Sequence, residues 1–158
     1  MTPFMTSDEI SFIEKEYNKN DIVLEWGSGG STIQFSKLVK KYYSIEHDRE
    51  WYDKVNSVKP ENVSYFFVAQ NLPRTFPTKK EEFIDYIKYI NKLNVKKFDI
   101  ILIDGRARAY CAKEALNYID KNSKVIVHDW ERAEYKGILQ DYDIISQIHR
   151  VGILKKKT

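Results

Sequence analysis

Val23-Leu24-Glu25-Trp26-Gly27-Ser28-Gly29-Gly30-Ser31-Thr32 is the stretch that decides the fold. The apolar run Ile22-Val23-Leu24 stops at a carboxylate and opens into glycines. Buried parallel strands have this continuous apolar character, and glycines let the chain turn sharply and approach a ligand closely. Residues 31–38 continue with Ile33, Phe35, Leu38 and Val39 at helical spacing. The local reading is strand, glycine loop, helix. A second acid, Glu46, ends the next apolar run about twenty residues later, where a ribose diol would lie in a nucleotide-binding sheet.

The same alternation extends in both directions. Upstream, residues 1–20 hold a short helix whose start is marked by Thr6 and Glu9, the spacing of a capping box. Downstream, strands are expected at 42–45, 63–68, 98–103 and 124–127, with a helix capped by Asp48, another through Phe83, Ile84, Ile87, Ile90 and Leu93, a third over 109–119 and a short one near 133–139. The runs 142–148 and 151–154 are too close for a crossover, so they should pair antiparallel. The prediction is one α/β domain over residues 1–158, a Rossmann-like doubly wound sheet, mostly parallel with a C-terminal antiparallel hairpin. Residues 71–97 form a loop and helix inserted over the site, and Pro73 and Pro77 make its first part the least regular stretch.

Ligands of such sheets bind beyond the carboxyl ends of the strands. The unusual residues fall there: Glu25-Trp26-Gly27, Glu46-His47, Asp104-Gly105-Arg106 and His128-Asp129-Trp130. A dinucleotide loop calls for a third glycine where Thr32 stands. A carboxylate at the end of the first strand also suits a cationic ligand better than a pyrophosphate. The segment 23–32, the acid after strand two and the final hairpin are similar to motif I and the architecture of class I S-adenosylmethionine-dependent methyltransferases. That resemblance implies S-adenosyl-L-methionine as cofactor. It implies that Glu25, Gly27, Ser28, Gly29, Gly30 and Ser31 hold its methionine portion, that Glu46 holds the ribose, and that Ala69 and Gln70 border the adenine, with Asp104 beside the reactive end.

Asp104, Arg106, His128 and Asp129 are the candidate catalytic residues. Methyl transfer to a hydroxyl needs a group to take up the proton, and His128 or Asp104 suits that role. The Asp-Gly-Arg and His-Asp pairs resemble a small bacterial and viral group, and more distantly the metal-dependent O-methyltransferases. The latter likeness implies a divalent cation, Mg2+ or Mn2+, on Asp104 and Asp129, although Trp130 stands where a further ligand is usual. Each residue also has a plain structural reading: Asp104 and Asp129 as turn or helix caps, His128 as a half-buried imidazole, Arg106 and Arg108 as surface charges. Trp51 reads as core, whereas Trp26 and Trp130, at strand ends, could border a ligand.

Composition bounds the function. The chain has 158 residues, 42% of them hydrophobic, and a formal net charge of +3, too weak to indicate nucleic acid. The compact basic run Lys155-Lys156-Lys157 reads as a solvated tail. Cys111 is the lone cysteine, so no intrachain disulfide forms; it reads as a packed thiol in a reducing, cytoplasmic setting. No run is long enough to span a membrane. The expected activity is O-methylation of a small-molecule or glycan acceptor, for example a sugar hydroxyl. The alternatives are a non-catalytic cofactor-binding or partner module of the same fold and an RNA 2′-O-methyltransferase. The acceptor's identity and the oligomeric state are left open by the sequence.

Overall fold

The computed structural model describes residues 1–158. Seven strands form one sheet in the order β3-β2-β1-β4-β5-β7-β6. β1 (Ile22–Trp26), β2 (Lys41–Glu46), β3 (Val63–Phe67), β4 (Ile100–Ile103) and β5 (Lys124–His128) run parallel, and β7 (Val151–Lys156) pairs antiparallel with β5 and with β6 (Tyr142–Ile148). The chain order reverses between β1 and β4, so the carboxyl ends of those strands form the switch point where ligands bind.

The strands in the middle of the sheet are apolar on both faces because both faces are covered. Along β1, Val23 joins one core and Leu24 the other; along β4, Ile100 and Leu102 alternate with Ile101 and Ile103 in the same way. One face packs against α1 (Ser7–Glu14), α2 (Gly30–Phe35) and α3 (Arg49–Asn56), through Ile13, Phe35 and Val55. The other packs against α4 (Ile84–Lys88) and α5 (Arg108–Ala115), through Ile87, Cys111, Ala112 and Ala115. Cys111 is a buried free thiol, as its alanine neighbours indicated. No helix is long and apolar enough to cross a membrane.

Helix starts follow the predicted chemistry. The Thr6 side chain accepts from the Glu9 amide at 3.1 Å, and the Glu9 carboxylate accepts from the Thr6 amide at 2.9 Å. Asp48 caps α3 by accepting from the Trp51 amide at 2.9 Å. Several helices end in a tighter turn, as at Ser36–Leu38 and Leu116–Tyr118, and Ala133–Gln140 is a 3₁₀-helix throughout. Lys155 and Lys156 do not fray: they extend β7, opposite Asp143 and Tyr142 of β6, with the side chains of Lys156 and Lys157 exposed to solvent.

The loops after β1 and β4 meet backbone to backbone. Gly27 has φ of +91°, and a Cβ placed there would lie 2.5 Å from the Gly105 Cα. Both the left-handed conformation and the close approach require glycine. Gly137, by contrast, has nothing within 4 Å of such a Cβ. Gly27→Ala should therefore destabilise the protein by about 2 kcal/mol or more in urea unfolding, whereas Gly137→Ala should stay within about 0.5 kcal/mol of the parent.

Candidate active site

The rim at the carboxyl ends of β1, β2 and β4 encloses a cavity of about 360 Å³, lined by residues that include Gly27, Ser28, Glu46, Trp51, Asp104 and Arg106. Glu46 ends β2 and points into this cavity. It accepts from the Ser28 amide at 2.9 Å and hydroxyl at 2.5 Å, and from the amides of His47 and Asp48 at 2.9 and 3.0 Å. The Trp51 indole donates to the Ser28 carbonyl at 2.6 Å, which holds its ring against the glycine loop. Trp51 thus packs against the core with part of its ring and forms a half-buried wall of the cavity with the rest, because the cap at Asp48 starts α3 directly beside the loop.

Other residues assigned to this cavity by sequence lie elsewhere. Glu25 alternates onto the opposite face from Trp26 and is fully buried, accepting from the hydroxyls of Ser31, Thr32 and Ser44. Its carboxyl braces the glycine loop from beneath and does not reach the cavity. Ser31 is spent on that brace. Gly29 lies against the Trp51 ring, and Gly30 is covered by the backbone of Thr2 and Pro3. Ala69 and Gln70 are exposed beyond β3 and do not line the cavity; the Gln70 amide donates to the Leu72 carbonyl at 3.0 Å instead. Trp26 is a fully buried core residue whose indole donates to the Tyr86 carbonyl at 3.0 Å. Trp130 packs over Gly152, away from the cavity.

The acids and the histidine after β4 and β5 do converge. His128 Nδ1 lies 3.4 Å from Asp104 Oδ1 and 3.4 Å from Asp129 Oδ2, and its Nε2 lies 3.6 Å from Glu9 Oε2. Simple strand alternation would have sent His128 and Asp129 to opposite faces. Instead β5 ends at His128, and Asp129 adopts a left-handed φ of +58°, which turns its carboxylate back toward the same cluster. Asp104, with its side chain 23% exposed, lines the cavity, whereas His128 and Asp129 are buried behind it. His128 therefore contacts Asp104 and not the cavity, which leaves Asp104 as the carboxylate within reach of a ligand.

Arg108 organises this cluster and is buried, not the surface charge of the plain structural reading. Its buried guanidinium donates to the carbonyls of Gly105, at 2.9 Å, and His128, and lies 3.5 Å from Asp104 and 3.4 Å from Asp129. The position four residues after Asp104, at the start of a helix, is the signal that could have shown it. Glu9 was read only as a cap, yet it reaches His128 and accepts from the Arg150 amide at 3.2 Å.

Electrostatics follow from these contacts. Burial raises the Glu25 carboxyl to about 7, against the hydroxyl donors that favour its charge. Burial also raises Asp104 above the ordinary carboxyl range, opposed by Arg108 and His128. For Glu9 burial again works against charge, but hydrogen bonds from the Thr6 and Arg150 amides and the proximity of His128 bring its net shift below the usual range.

The pair Asp104 and Asp129 does not fit a divalent cation. Asp129 is already neutralised by Arg108 at 3.4 Å, Arg132 at 2.7 Å and Arg150 at 3.5 Å. A metal would have to displace or lie beside these guanidinium groups, and no group of three or more potential ligands forms a site. Asp104 and Asp129, expected as a cation-binding pair, are held by guanidinium groups instead.

A second cavity of about 810 Å³ adjoins the first and shares Arg106 and Arg108 with it. Its other walls come from residues 74–79, from 107, 109 and 110 and from Arg132, Glu134 and Tyr135.

Solved structures share this arrangement of strands and helices. A methyltransferase-like protein from Silicibacter pomeroyi superimposes with a TM-score of 0.80 at 22% identity, over 98% of this chain and 88% of that one. The chain has the class I methyltransferase fold. A Streptococcus mutans protein, SMU.1697c, solved in complex with SAH, matches with a TM-score of 0.60 at 13% identity, over 98% of this chain and all of that one (100%). The precorrin 8w decarboxylase of Methanobacterium thermoautotrophicum matches with a TM-score of 0.70 at 16% identity, over 99% of this chain and 94% of that one. At these identities the likeness concerns fold, and chemistry is read from the site. No protein-family model and no curated protein matches the sequence.

Two outcomes test this description. Glu25 titrates near 7 in the folded chain and near 4.5 when unfolded, so its contribution is full below 4.5 and declines as pH rises to about 7. Urea unfolding of the parent relative to Glu25→Gln should therefore worsen by on the order of 3 kcal/mol between pH 4.5 and 7.5; a pH-independent difference would place the carboxyl outside this network. Exhaustive dialysis against EDTA should leave the melting temperature unchanged, since the arginines already supply the charge around Asp129.

Proposed function

We propose that the protein is an S-adenosylmethionine-dependent O-methyltransferase. The observation that carries this reading is the pair of adjoining cavities at the switch point: a smaller one edged by the glycine loop and acids, and a larger one beside it, with Asp104 next to their shared wall. The first has a volume within the range for small-ligand sites. Its acids Glu46, Asp48, Glu50 and Asp104 suit a ligand bearing an ammonium and a sulfonium. Trp51 offers an aromatic face to the adenine ring. Glu46 is the residue for the ribose hydroxyls, which would take the place of the Ser28 hydroxyl on its carboxylate.

S-adenosylmethionine supplies an electrophilic methyl group. The chain supplies position and a proton acceptor. Asp104 takes the proton of the acceptor hydroxyl, and its elevated proton affinity makes it a better base than a solvated carboxylate. His128 and Arg108 hold Asp104 in place, and Arg106, on the wall common to both cavities, can steady the acceptor. The presence of such a proton acceptor beside the shared wall is what favours a hydroxyl oxygen as the methylated atom, with a small molecule or a sugar hydroxyl of a glycan as the acceptor. The lone buried thiol, Cys111, supports a cytoplasmic setting for this enzyme.

Binding and turnover separate the parts of the proposal. S-adenosylhomocysteine should raise the melting temperature, and Glu46→Gln should weaken its binding by about 1–3 kcal/mol in calorimetry. Asp104→Asn should lower methyl transfer about 10²–10⁴-fold, far more than it weakens that binding. Stabilisation by NAD and not by S-adenosylhomocysteine would refute the cofactor assignment; full turnover in Asp104→Asn would remove Asp104 as the base.

A further inference from the structure

The second cavity has an unbalanced charge. Of the cations on its wall, Arg132 is paired with Asp129 at 2.7 Å and Arg108 with Asp104 and Asp129. Arg74, Lys79 and Arg106 form no salt bridge, and Glu134 is the lone acid on the wall. Glu82, buried behind the loop and held by the Thr75 and Lys79 amides, offsets part of the Lys79 charge from there, which leaves Arg74 and Arg106 as the uncompensated cations. Crowding of like charge there is enough to be felt by Arg106, whose proton affinity is lowered by burial first and then by Arg74 and Arg108. Unpaired like charges around one concavity repel one another, and an anion in their midst relieves that repulsion.

Beside these cations the cavity carries an apolar wall. Phe76 is 88% exposed, Tyr110 is 37% exposed, and Tyr135 lies half-buried under the Arg108 guanidinium, 5.4 Å from ring centroid to Cζ. An aromatic so exposed beside a cavity of about 810 Å³ offers a surface for a flat or apolar body. The cations are gathered in one concave site, and the chain's formal charge is only +3, which favours a small anion over an extended polyanion.

We propose that this cavity binds an acceptor carrying a phosphate or carboxylate group, held by Arg74, Lys79 and Arg106, with its aromatic or apolar portion against Phe76, Tyr110 and Tyr135. The inference rests on the reading of the first cavity as the methyl donor's site, and it adds that the acceptor carries an anionic group. Because Arg106 belongs to both walls, an anion seated on it brings the rest of the acceptor toward Asp104.

The test titrates the intact protein with phenyl phosphate, benzoate and phenol, followed by amide chemical shifts, with S-adenosylhomocysteine affinity measured separately. At least one anion should bind, and phenol should bind about tenfold more weakly or worse, since charge-assisted hydrogen bonds to guanidinium and ammonium groups are lost. The tighter anion distinguishes phosphate from carboxylate. The double substitution Arg74→Gln with Lys79→Gln should weaken the anion about tenfold or more and leave S-adenosylhomocysteine affinity unchanged. Equal binding of phenol, no binding of either anion, or full affinity in the double variant would overturn the proposal. So would a single-stranded RNA oligonucleotide that displaces phenyl phosphate at far lower concentration and depends on the same two residues. Anion binding that persists while S-adenosylhomocysteine fails to bind would uphold the anion site and remove the methyl-donor reading alone.

Discussion

The buried guanidinium of Arg108 is the constraint on which the rim depends. It joins the turn after β4, through the Gly105 carbonyl and Asp104, to the turn after β5, through the His128 carbonyl and Asp129. Without a cation there, Asp104 and Asp129 would be like charges held close in a poorly solvated place, an arrangement that favours protonation or separation. With it, both carboxylates can stay beside His128. The planar fork of arginine reaches several acceptors at once, which an ammonium could not do with the same geometry. Breaking a buried pair by removing one partner is strongly unfavourable because it strands the other charge.

A second brace works below the glycine loop. Glu25 gathers the hydroxyls of Ser31, Thr32 and Ser44, tying the end of β1 to the first turn of α2 and to β2. The two braces share a logic: one acidic side chain is withdrawn from the site so that a neighbouring one can be presented to it. Glu25 positions the loop while Glu46 faces the cavity; Asp129 absorbs arginines while Asp104 faces the cavity.

The fold was legible in the sequence because its signals are local and repetitive. The strand ends at Glu25, Glu46 and Asp104, the Thr6–Glu9 box, the Asp48 cap and the short interval before Val151 each report on a few adjacent residues. The site was legible only as a set of strand ends brought to one rim. Which member of each set faces the ligand depends on contacts between distant segments. The opposite faces of Glu25 and Trp26 follow from strand alternation, but which face holds the cavity does not. The left-handed turn at Asp129 reversed the expected divergence from His128. Glu9 meets His128 across most of the chain, a contact no spacing reveals. The cations of the second cavity carry no sequence signal for a related reason: Arg74, Lys79 and Arg106 are dispersed in sequence, and a modest net charge conceals their gathering.

The wall that the two cavities share has a thermodynamic consequence. Arg106 and Arg108 border both spaces, so any displacement of Arg106 by one occupant alters the surroundings of the other. Binding free energies at two such sites are linked, and linkage is reciprocal: whatever factor one ligand applies to the affinity of its neighbour, the neighbour returns. Occupants of the smaller and the larger space would then sense each other through the guanidinium groups of that common wall.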